Sequence, residues 1–375
     1  MGKNLKGKEI GEGLRQRSDG RYEARFSSRD GKRISKYFET LNEAKHWLAE
    51  AKYDDEHCRI SNPRNLNVET WFWYWLDEIK GDTIRYGTRQ AYEWRFNSRI
   101  KPILGNMQLS DVKPLHCQQV INWAQDEGES SGSVRKLRIV MHSLFEAAKD
   151  NDMIESNPVR SSVTYIKNPP DERRVLTEYE QEILLDAAKG NAFYPAFAFA
   201  LQTGLRVGEI QGLKWEDISF SARAIHVNRS LDYRQDLKTF VENPPKSKTG
   251  VRIVPMTDEA MRILKEVKEL DKTLPQVVPY TNYVFRNKEG KPSHRGNYNR
   301  TLKKLASDTG METLSMHVLR HSFATRCIES GMRPKTLQKI MGHASLGLTM
   351  DLYVHVTTDA LFDEMKKFEL RAKNA

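Results

Sequence analysis

The sequence predicts a multidomain protein that is mainly α-helical and contains small β elements. Three observations support this fold class: the length of 375 residues, short strand-like stretches near the N-terminus, and helical apolar spacing over most of the remainder. A typical domain has roughly 100–200 residues, so the chain should divide into about two or three domains. We place domains at 1–63, 66–158 and 174–358, a linker at 159–173, and a tail at 359–375.

The first domain is predicted to be a three-stranded sheet with one helix. Arg21–Ser27 and Lys32–Glu39 have strand character, and Asp30-Gly31 between them is a hairpin signal. Leu14–Ser18 is the candidate third strand. A capping box of Thr40 and Glu43 then starts the helix, whose apolar stripe is Ala44, Trp47, Leu48 and Ala51.

One face of this sheet should pack on the helix, and the other should carry charge, because side chains alternate along a strand. A solvated sheet face and a sheet laid in a DNA groove both explain that charge. Charge and strand placement suggest these DNA-contacting residues: Arg15, Arg17, Arg25, Arg33, Lys36 and Tyr37.

The second domain is predicted to be helical throughout. Its aromatic run, Trp71–Leu76, is interpreted as core and not as a base-stacking platform. A helix over Thr88–Ile100 follows, and Ser133 is predicted to cap the last helix of this domain. Basic residues at a helix start oppose the macrodipole preference, which suggests an anionic ligand, although a solvated basic face explains them equally. The candidate DNA contacts of this domain are Arg89, Arg135 and Arg138.

The composition narrows the classes of function. The formal net charge of +10 suggests a polyanionic partner, with nucleic acid as the first candidate. No apolar stretch approaches the roughly 20 residues of a membrane span, and the N-terminus has no secretory signal. The three scattered cysteines, Cys58, Cys117 and Cys327, argue against a disulfide framework or a zinc cluster and favour the cytoplasm.

The third domain lacks the usual cofactor motifs. It has no GxxxxGK[ST] or GxGxxG stretch, no HExxH, and no closely spaced carboxylate pair. We therefore expect neither a nucleotide nor a metal cofactor. What it contains is a series of short motifs with basic, imidazole and phenol side chains. In chain order these are Arg206 with Glu209, Lys248 in a turn, His317 three residues before Arg320, His343 after Gly342, and Tyr353.

Each motif alone is common, but the ordered set resembles the catalytic domain of tyrosine recombinases, the phage integrase family. The resemblance extends, less specifically, over 66–158, which is similar to the family's core-binding domain. Residues 1–63 resemble the arm-binding domain of integrases from temperate phages and conjugative transposons. The integrase subgroup is therefore favoured over shorter recombinases that lack an arm-binding domain.

The resemblance implies how these residues handle a scissile phosphate. Arg206 and Arg320 would clamp its non-bridging oxygens, because the planar guanidinium fork donates to two oxygens and stays charged. His317 and His343 would hydrogen-bond the phosphate or assist proton transfer. Glu209 would stand behind them and hold the site in register.

The same resemblance implies a nucleophile and an acid. Tyr353 would attack the phosphorus, because surrounding positive charge favours ionisation of a phenol. Lys248 would protonate the leaving 5′ oxygen, with Lys246 as a rival in the same turn. His343 and Tyr353 are ten residues apart where many family members have nine, and His321 is interpreted as structural support.

The implied reaction cuts and rejoins DNA through a 3′-phosphotyrosine and a Holliday junction. Its partners would be double-stranded DNA at core- and arm-type attachment sites and a homotetramer assembled on that DNA. Accessory proteins, an excisionase or a DNA-bending factor, are expected from the resemblance alone. A tail helix with Leu361, Met365 and Phe368 on one face would dock either on its own domain or on a neighbouring protomer.

Two alternatives remain at the level of sequence. A type IB topoisomerase shares the same side-chain chemistry, but the arm-like domain and the tail argue against it. A non-catalytic DNA-binding regulator built on a degenerate recombinase is the other. The six catalytic positions are all occupied by competent residues, which argues against that reading.

Overall fold

The computed structural model describes residues 2–27, 33–56, 66–168, 174–245 and 248–353, together with Met365. It divides into two compact units, Met1–Pro170 and Asp171–Ala375. Across the described part of the chain, none of the helices is both long enough and apolar enough to cross a bilayer.

The N-terminal residues form the predicted sheet and helix. Strands β3 (Leu14–Gln16), β4 (Tyr22–Ser27) and β5 (Arg33–Phe38) are antiparallel in the order β3-β4-β5, and α1 (Leu41–Glu56) packs on them. Backbone N–H groups of Thr40 and Glu43 donate to each other's side chains at 3.3 Å, as the capping box predicts. The hairpin turn at Asp30-Gly31 lies outside the described residues.

A short ribbon precedes this sheet and was not predicted. It pairs β1 (Gly2–Lys3) with β2 (Glu9–Gly11) in antiparallel fashion, with an irregular register. Strands this short carry too few residues to show a period-two pattern. The ribbon nevertheless contributes Ile10 to the small core formed by Leu14, Ala24, Ala44 and Leu48.

Helices build the rest of the first unit around an aromatic core. The elements are α2 (Val68–Tyr74) with a π-helical continuation (Trp75–Lys80), α3 (Tyr86–Arg95) with another (Phe96–Ile100), α4 (Lys101–Leu104), α5 (Pro114–Asp126) and α6 (Ser131–Asp150). Trp71, Phe72 and Trp75 are completely buried, and the Phe72 ring stacks on Phe96 at 3.7 Å between centroids. The interpretation of the aromatic run as core is confirmed.

Two sequence predictions for this region are corrected. Ser130 caps α6 instead of Ser133, because the Ser130 hydroxyl accepts from the Ser133 backbone N–H at 3.3 Å. The predicted linker also starts too early, since Val159 and Val163 belong to the helical core. The Gln118 side chain bonds both the N–H and the carbonyl of Thr164, which fastens this segment to α5.

The second unit is a mixed α/β structure. Its helices are α7 (Glu178–Ala187), α8 (Tyr194–Thr203), α9 (Val207–Gln211), α10 (Asp258–Asp271), α11 (Arg295–Asp308), α12 (Met316–Glu329), α13 (Pro334–Met341) and α14 (Leu346–Tyr353). A three-stranded sheet has the order β10 (Arg252–Pro255), β7 (Ala224–Val227) and β6 (Ile218–Ser219), and β8 (Ser230–Arg234) pairs with β9 (Thr239–Asn243) in a separate hairpin. The core centres on α8, whose residues Ala196 to Leu201 are all buried.

The two neighbouring strands β7 and β8 belong to different sheets, although only two residues separate them. The break falls at Asn228 and Arg229, whose side chains both bond the buried carboxylate of Asp217. Beyond these two residues the chain leaves the three-stranded sheet, and β8 pairs with β9. Hydrogen bonds of this kind are tertiary contacts, and the apolar periodicity of a sequence does not predict them.

Two glycines shape the backbone around the third domain's motifs. Gly204 ends α8 with φ of +60°, and a Cβ there would come within 2.3 Å of the Phe323 ring. Gly342 ends α13 with φ of +62°, where a Cβ would lie 3.0 Å from Arg252. The left-handed conformation favours glycine at both positions, and the close approach of Phe323 excludes a Cβ at Gly204 as well.

Candidate active site and DNA-contacting surfaces

Arg206 stands at the N-terminus of α9 and is held by Glu209. The Arg206 backbone N–H donates to Glu209 Oε2 at 2.8 Å, and its Nη1 donates to Oε1 at 2.8 Å. Its Nη2 donates to the Gly342 carbonyl at 3.1 Å. The side chain remains 44% exposed, so one edge of the guanidinium is fixed while the group still faces solvent.

Arg320 lies on α12 and is almost completely buried, with 2% of its surface exposed. Its Nη1 donates to the Gly204 carbonyl and its Nη2 to the Met341 carbonyl, both at 2.6 Å. Burial, reinforced by the nearby positive charge of Arg206, lowers the pKa of Arg320 to about 9. Arg320 is therefore still charged at neutral pH.

The two arginines meet on one piece of backbone. Met341 and Gly342 offer consecutive carbonyls, and Arg320 bonds the first while Arg206 bonds the second. His343 follows immediately. The structure thus brings together three of the predicted catalytic residues, which come from three separate motifs of the sequence.

Glu209 is the buried acid behind this pair, with 6% of its surface exposed. Burial by itself raises the pKa of Glu209. The hydrogen bonds from Arg252 and the positive charges of Arg252, Arg206 and Arg320 outweigh it and lower the pKa to about 2. Glu209 is consequently ionised at any physiological pH, and its geometry matches its predicted place behind Arg206.

Arg252 is a site residue that the sequence analysis missed. Its Nη1 and Nη2 donate to the two Glu209 oxygens at 3.0 and 2.9 Å, and its side chain is only 5% exposed. Its Nε donates to the Ile340 carbonyl, and Nη1 also reaches the Gly250 carbonyl at 3.1 Å. One sequence signal could have revealed it. Arg252 lies two residues before Val254, so the two side chains share a face of β10, and Val254 is buried.

The structure describes the backbone positions of Lys248 and Tyr353. Lys248 opens a 3₁₀ turn, Lys248–Gly250, directly before β10. Tyr353 is the last residue of α14, which packs on α12 and α13. Lys246 lies outside the described residues, as do the side chains of Lys248 and Tyr353.

The two predicted histidines occupy different surroundings. His343 Nδ1 lies 2.9 Å from the hydroxyl of the buried Thr349, which links its ring to the helix that ends at Tyr353. His317 is exposed on the first turn of α12, although Arg320 on the same helix is buried. The His317 ring packs edge-on against His321 at 4.3 Å, which agrees with a supporting role for His321.

The N-terminal sheet displays most of its predicted DNA contacts on one face. In the strand register, Arg15 and Tyr37 are the neighbours of Glu23 on the two adjacent strands. Arg25 lies two residues after Glu23 on β4 and therefore on the same face. The Arg17 guanidinium lies 4.9 Å from the centre of the Tyr37 ring. Arg33 is exposed on the same face, opposite Ser27.

Lys36 differs from the rest of that predicted set. It pairs with Ala24, a fully buried residue on the face that packs against α1. Neighbouring residues across a sheet share a face, so Lys36 lies on the side opposite Arg15, Arg25 and Tyr37. Its ammonium lies 5.7 Å from the Phe38 ring on that side.

The basic residues predicted for the helical domain divide into two groups. Arg89 is engaged by Asp77 and Glu93, and Arg138 donates to the carbonyls of Val163 and Arg160. These internal contacts indicate that both side chains stabilise the domain. Arg135, in contrast, is exposed on α6 in a stripe with Lys136, Ile139 and His142.

Two further predictions concern metals and the tail. Among the residues that the structure describes, no group of three His, Cys, Asp or Glu side chains is arranged to hold a metal ion. The predicted tail helix, including Leu361 and Phe368, lies outside the described residues, and Met365 is 60% exposed.

The lowered pKa of Glu209 generates a testable pH dependence. A folded-state pKa of about 2, below the ordinary value of 4.5, means that the ionised carboxylate stabilises the fold above pH 4.5 and loses that effect as the pH falls. We expect the stability advantage of the wild type over Glu209→Gln to stay constant from about pH 7 to 5 and to shrink below that. Urea unfolding of the full chain, followed by hydrogen exchange in peptides from 174–353, measures it.

Glu182→Gln is the matched control, because Glu182 is an exposed carboxylate of the same unit. A Glu209→Gln difference that stays constant down to about pH 3 would contradict the ionised, arginine-bound state of Glu209.

Comparison with known proteins agrees with this geometry. Residues 174–359 match the Phage integrase family, and residues 67–123 match the phage integrase N-terminal SAM-like domain. A XerC-like tyrosine recombinase from Caldanaerobacter subterraneus is 28% identical over 82% of this chain and 85% of its own. The transposase of transposon Tn916 from Enterococcus faecalis is 28% identical over 76% of this chain and 73% of its own.

Solved structures give the same result. The integrase of transposon Tn1549, in complex with a circular-intermediate DNA, superposes with a TM-score of 0.71 at 25% identity, over 81% of this chain and 99% of that chain. A lambda integrase dimer bound to a core site has a TM-score of 0.58 at 20% identity, over 92% of this chain and 95% of its own, and supports the fold. The topoisomerase and regulator alternatives gain no support from these comparisons. The chain belongs to the phage integrase family of tyrosine recombinases.

Proposed function

We propose that this chain is the integrase of a mobile element and that it cuts and rejoins DNA through a phosphotyrosine at Tyr353. The observation that carries the proposal is the convergence of Arg206 and Arg320 on the consecutive carbonyls of Gly342 and Met341. A guanidinium has five N–H donors, so these contacts orient each group and still leave donors for phosphate oxygens.

The chemistry follows from the residues around that point. The Tyr353 oxygen attacks the phosphorus, the bond from phosphorus to the 5′ oxygen breaks, and a 3′-phosphotyrosine forms. Lys248 supplies the proton that the departing 5′ oxygen takes up, and His343 or His317 receives the phenol proton. A 5′ hydroxyl from a partner strand then reverses the step. The phosphotyrosine conserves the phosphodiester energy, so rejoining requires no nucleotide.

The local charge suits a phosphoryl-transfer transition state. Arg206, Arg252 and Arg320 contribute three positive charges around the single negative charge of Glu209. Preorganised charge of this kind stabilises the extra negative charge that develops as the tyrosine attacks. The same positive field favours the ionised form of an attacking phenol.

Three exposed surfaces suit binding of the DNA duplex. The outer face of the N-terminal sheet, with Arg15, Arg17, Arg25, Arg33 and Tyr37, suits arm-type sites. The exposed stripe of α6 begins with Arg135 and Lys136 and suits the phosphates of the core site. Another stripe, on α3 and its π-helical continuation, exposes Gln90, Trp94 and Asn97. Gln and Asn are side chains that can bind adenine in the major groove.

The solved relatives support a proposal about assembly and biological setting. The Tn1549 integrase has been solved with circular-intermediate DNA, and lambda integrase as a tetramer on a Holliday junction. We propose that this chain likewise forms a homotetramer on paired attachment sites, in the cytoplasm and on the nucleoid. An excisionase or a DNA-bending protein would set the direction of the reaction.

Covalent trapping tests the nucleophile. A duplex carrying the element's attachment junction is nicked close to the crossover, so that a short strand diffuses away after cleavage and prevents rejoining. Without Mg²⁺, we expect wild type to form a protein–DNA adduct on a denaturing gel. Tyr353→Phe should form none, because it removes only the attacking oxygen.

Tyr179→Phe is the matched control, since Tyr179 is 72% exposed on α7, and it should form the adduct normally. An adduct that persists in Tyr353→Phe would identify a different nucleophile. The lack of any adduct on a duplex that the wild type binds would contradict the enzymatic function.

A second prediction separates DNA contact from structural support on a single helix. Arg135→Ala should weaken binding to core-site DNA and reduce the salt dependence of log K by about one unit, because one phosphate contact is lost. Arg138→Ala should leave that slope unchanged. It should instead lower stability by roughly 1–3 kcal/mol, because it removes charged hydrogen bonds to two backbone carbonyls.

Fluorescence anisotropy at several salt concentrations and urea unfolding measure the two effects. Equal salt slopes for Arg135→Ala and wild type would exclude Arg135 from the DNA interface.

A further inference from the structure

Arg252 joins three segments of the site with a single side chain. Its guanidinium bonds the Glu209 carboxylate on α9, the Ile340 carbonyl in the last turn of α13, and the Gly250 carbonyl. Gly250 ends the short turn that Lys248 begins. The segments that carry Arg206, Lys248 and the Met341-Gly342 carbonyls are therefore tied to one buried group.

Stability alone is a poor explanation for this arrangement. Burying two charges costs solvation energy, and well-packed apolar residues often replace a buried ion pair without loss of stability. Apolar contacts, unlike hydrogen bonds, do not fix the angles between the groups that they join. A planar guanidinium with fixed donors holds its acceptors at defined angles and distances. The geometry of Arg252 is therefore better suited to positioning than to stabilisation.

Electrostatics gives Arg252 a second effect. Glu209 orients Arg206 through two hydrogen bonds, but it also places a buried negative charge close to where a phosphate would bind. Arg252 pairs with both Glu209 oxygens and offsets that charge. Glu209 can then hold Arg206 without cancelling the positive field on the phosphate.

The packing leaves little room for Arg252 to move. A Cβ on Gly342 would lie 3.0 Å from both Cδ and Nη1 of Arg252 and 3.1 Å from the Thr249 carbonyl oxygen. The Lys248–Gly250 turn, Arg252 and the backbone before His343 are thus in direct contact. A shift in any of them moves the other two.

We propose that Arg252 is a positioning residue for DNA cleavage, which aligns the Lys248 turn with the arginine pair. The inference rests on the proposed function, because it assigns Lys248 the protonation of the leaving 5′ oxygen. Arg252 itself touches neither the phosphate nor the reacting atoms. It acts through Gly250, Glu209 and Ile340.

The test compares two substrates that differ at one atom. In a 5′-bridging phosphorothiolate duplex, sulfur replaces the leaving oxygen, and a thiolate departs without needing a proton. A protein with a misplaced Lys248 should therefore cleave this substrate nearly normally. A partly folded protein, or one with a damaged arginine pair, should be slow on both substrates.

Arg252→Lys is the principal variant, because it keeps a positive charge beside Glu209 but cannot span all three segments. We expect adduct formation at least about tenfold slower than wild type on the ordinary duplex, since misplacement by about 1 Å can cost a factor of about 100. On the phosphorothiolate duplex the rate should be within about threefold of wild type. Arg252→Gln, which also removes the positive charge beside Glu209, is the second variant, and we expect it to be slower than Arg252→Lys on both substrates and slowest on the ordinary duplex.

Arg286→Lys is the matched control. Arg286 lies in the same unit, and its side chain is fully buried, pairs with Asp271 and donates to the Pro275 carbonyl. It should lose thermal stability to a similar extent and yet cleave both substrates at the wild-type rate once folded.

The outcomes separate the inference from the proposed function. A slow ordinary reaction that the phosphorothiolate restores supports positioning of Lys248 by Arg252. Equal losses on both substrates, or wild-type rates in both Arg252 variants, would overturn the inference and leave the proposed function standing. No adduct from wild type on either substrate would contradict the proposed function, and the inference with it.

Discussion

Two backbone carbonyls, those of Met341 and Gly342, are the constraint on which the rest of the site depends. Each accepts from one arginine, and the two arginines arrive on different helices. A carbonyl can be presented in this way only where a helix has ended, because within a helix it would bond along the helix axis. Gly342 makes that ending possible, since its left-handed conformation terminates α13 at the required point.

Burial determines the electrostatic character of the site. Arg320 is almost completely removed from solvent and close to two further arginines, so its charge is held at a cost. Carbonyl oxygens from Gly204 and Met341 offset part of that cost. The buried carboxylate of Glu209 offsets another part and remains ionised because these arginines surround it. The result is a net positive pocket whose groups are already oriented before a phosphate arrives, which is the condition for electrostatic catalysis.

Much of this could be predicted from the sequence, because the relevant signals are local. Strand alternation and a capping box predicted the N-terminal sheet and helix, and the buried aromatic run predicted the helical core. The order of the motifs identified the family and with it the convergence of Arg206 and Arg320. The features that the sequence did not predict depend on contacts between residues that are far apart in the chain. Arg252 was missed because its partners lie on α9 and α13.

Contacts between distant residues also distinguish side chains that charge or residue type alone does not. Arg89 and Arg138 have the charge of DNA contacts, but their actual partners are internal acids and carbonyls that the sequence does not place near them. Lys36 was assigned by charge, although strand register puts it on the helix-facing side. Ser130 and Ser133 are both good capping residues, and only the backbone geometry distinguishes them.

The arginine pair is assembled in the free protein, before the phosphate binds. The most direct measurement is a structure of the full chain on attachment-site DNA with vanadate bridging the Tyr353 oxygen and the 5′ hydroxyl. We predict that Arg206 and Arg320 both donate to equatorial vanadate oxygens while keeping their hydrogen bonds to Gly342 and Met341. A structure in which either guanidinium leaves its carbonyl to reach the vanadate, or does not reach it, would contradict this account.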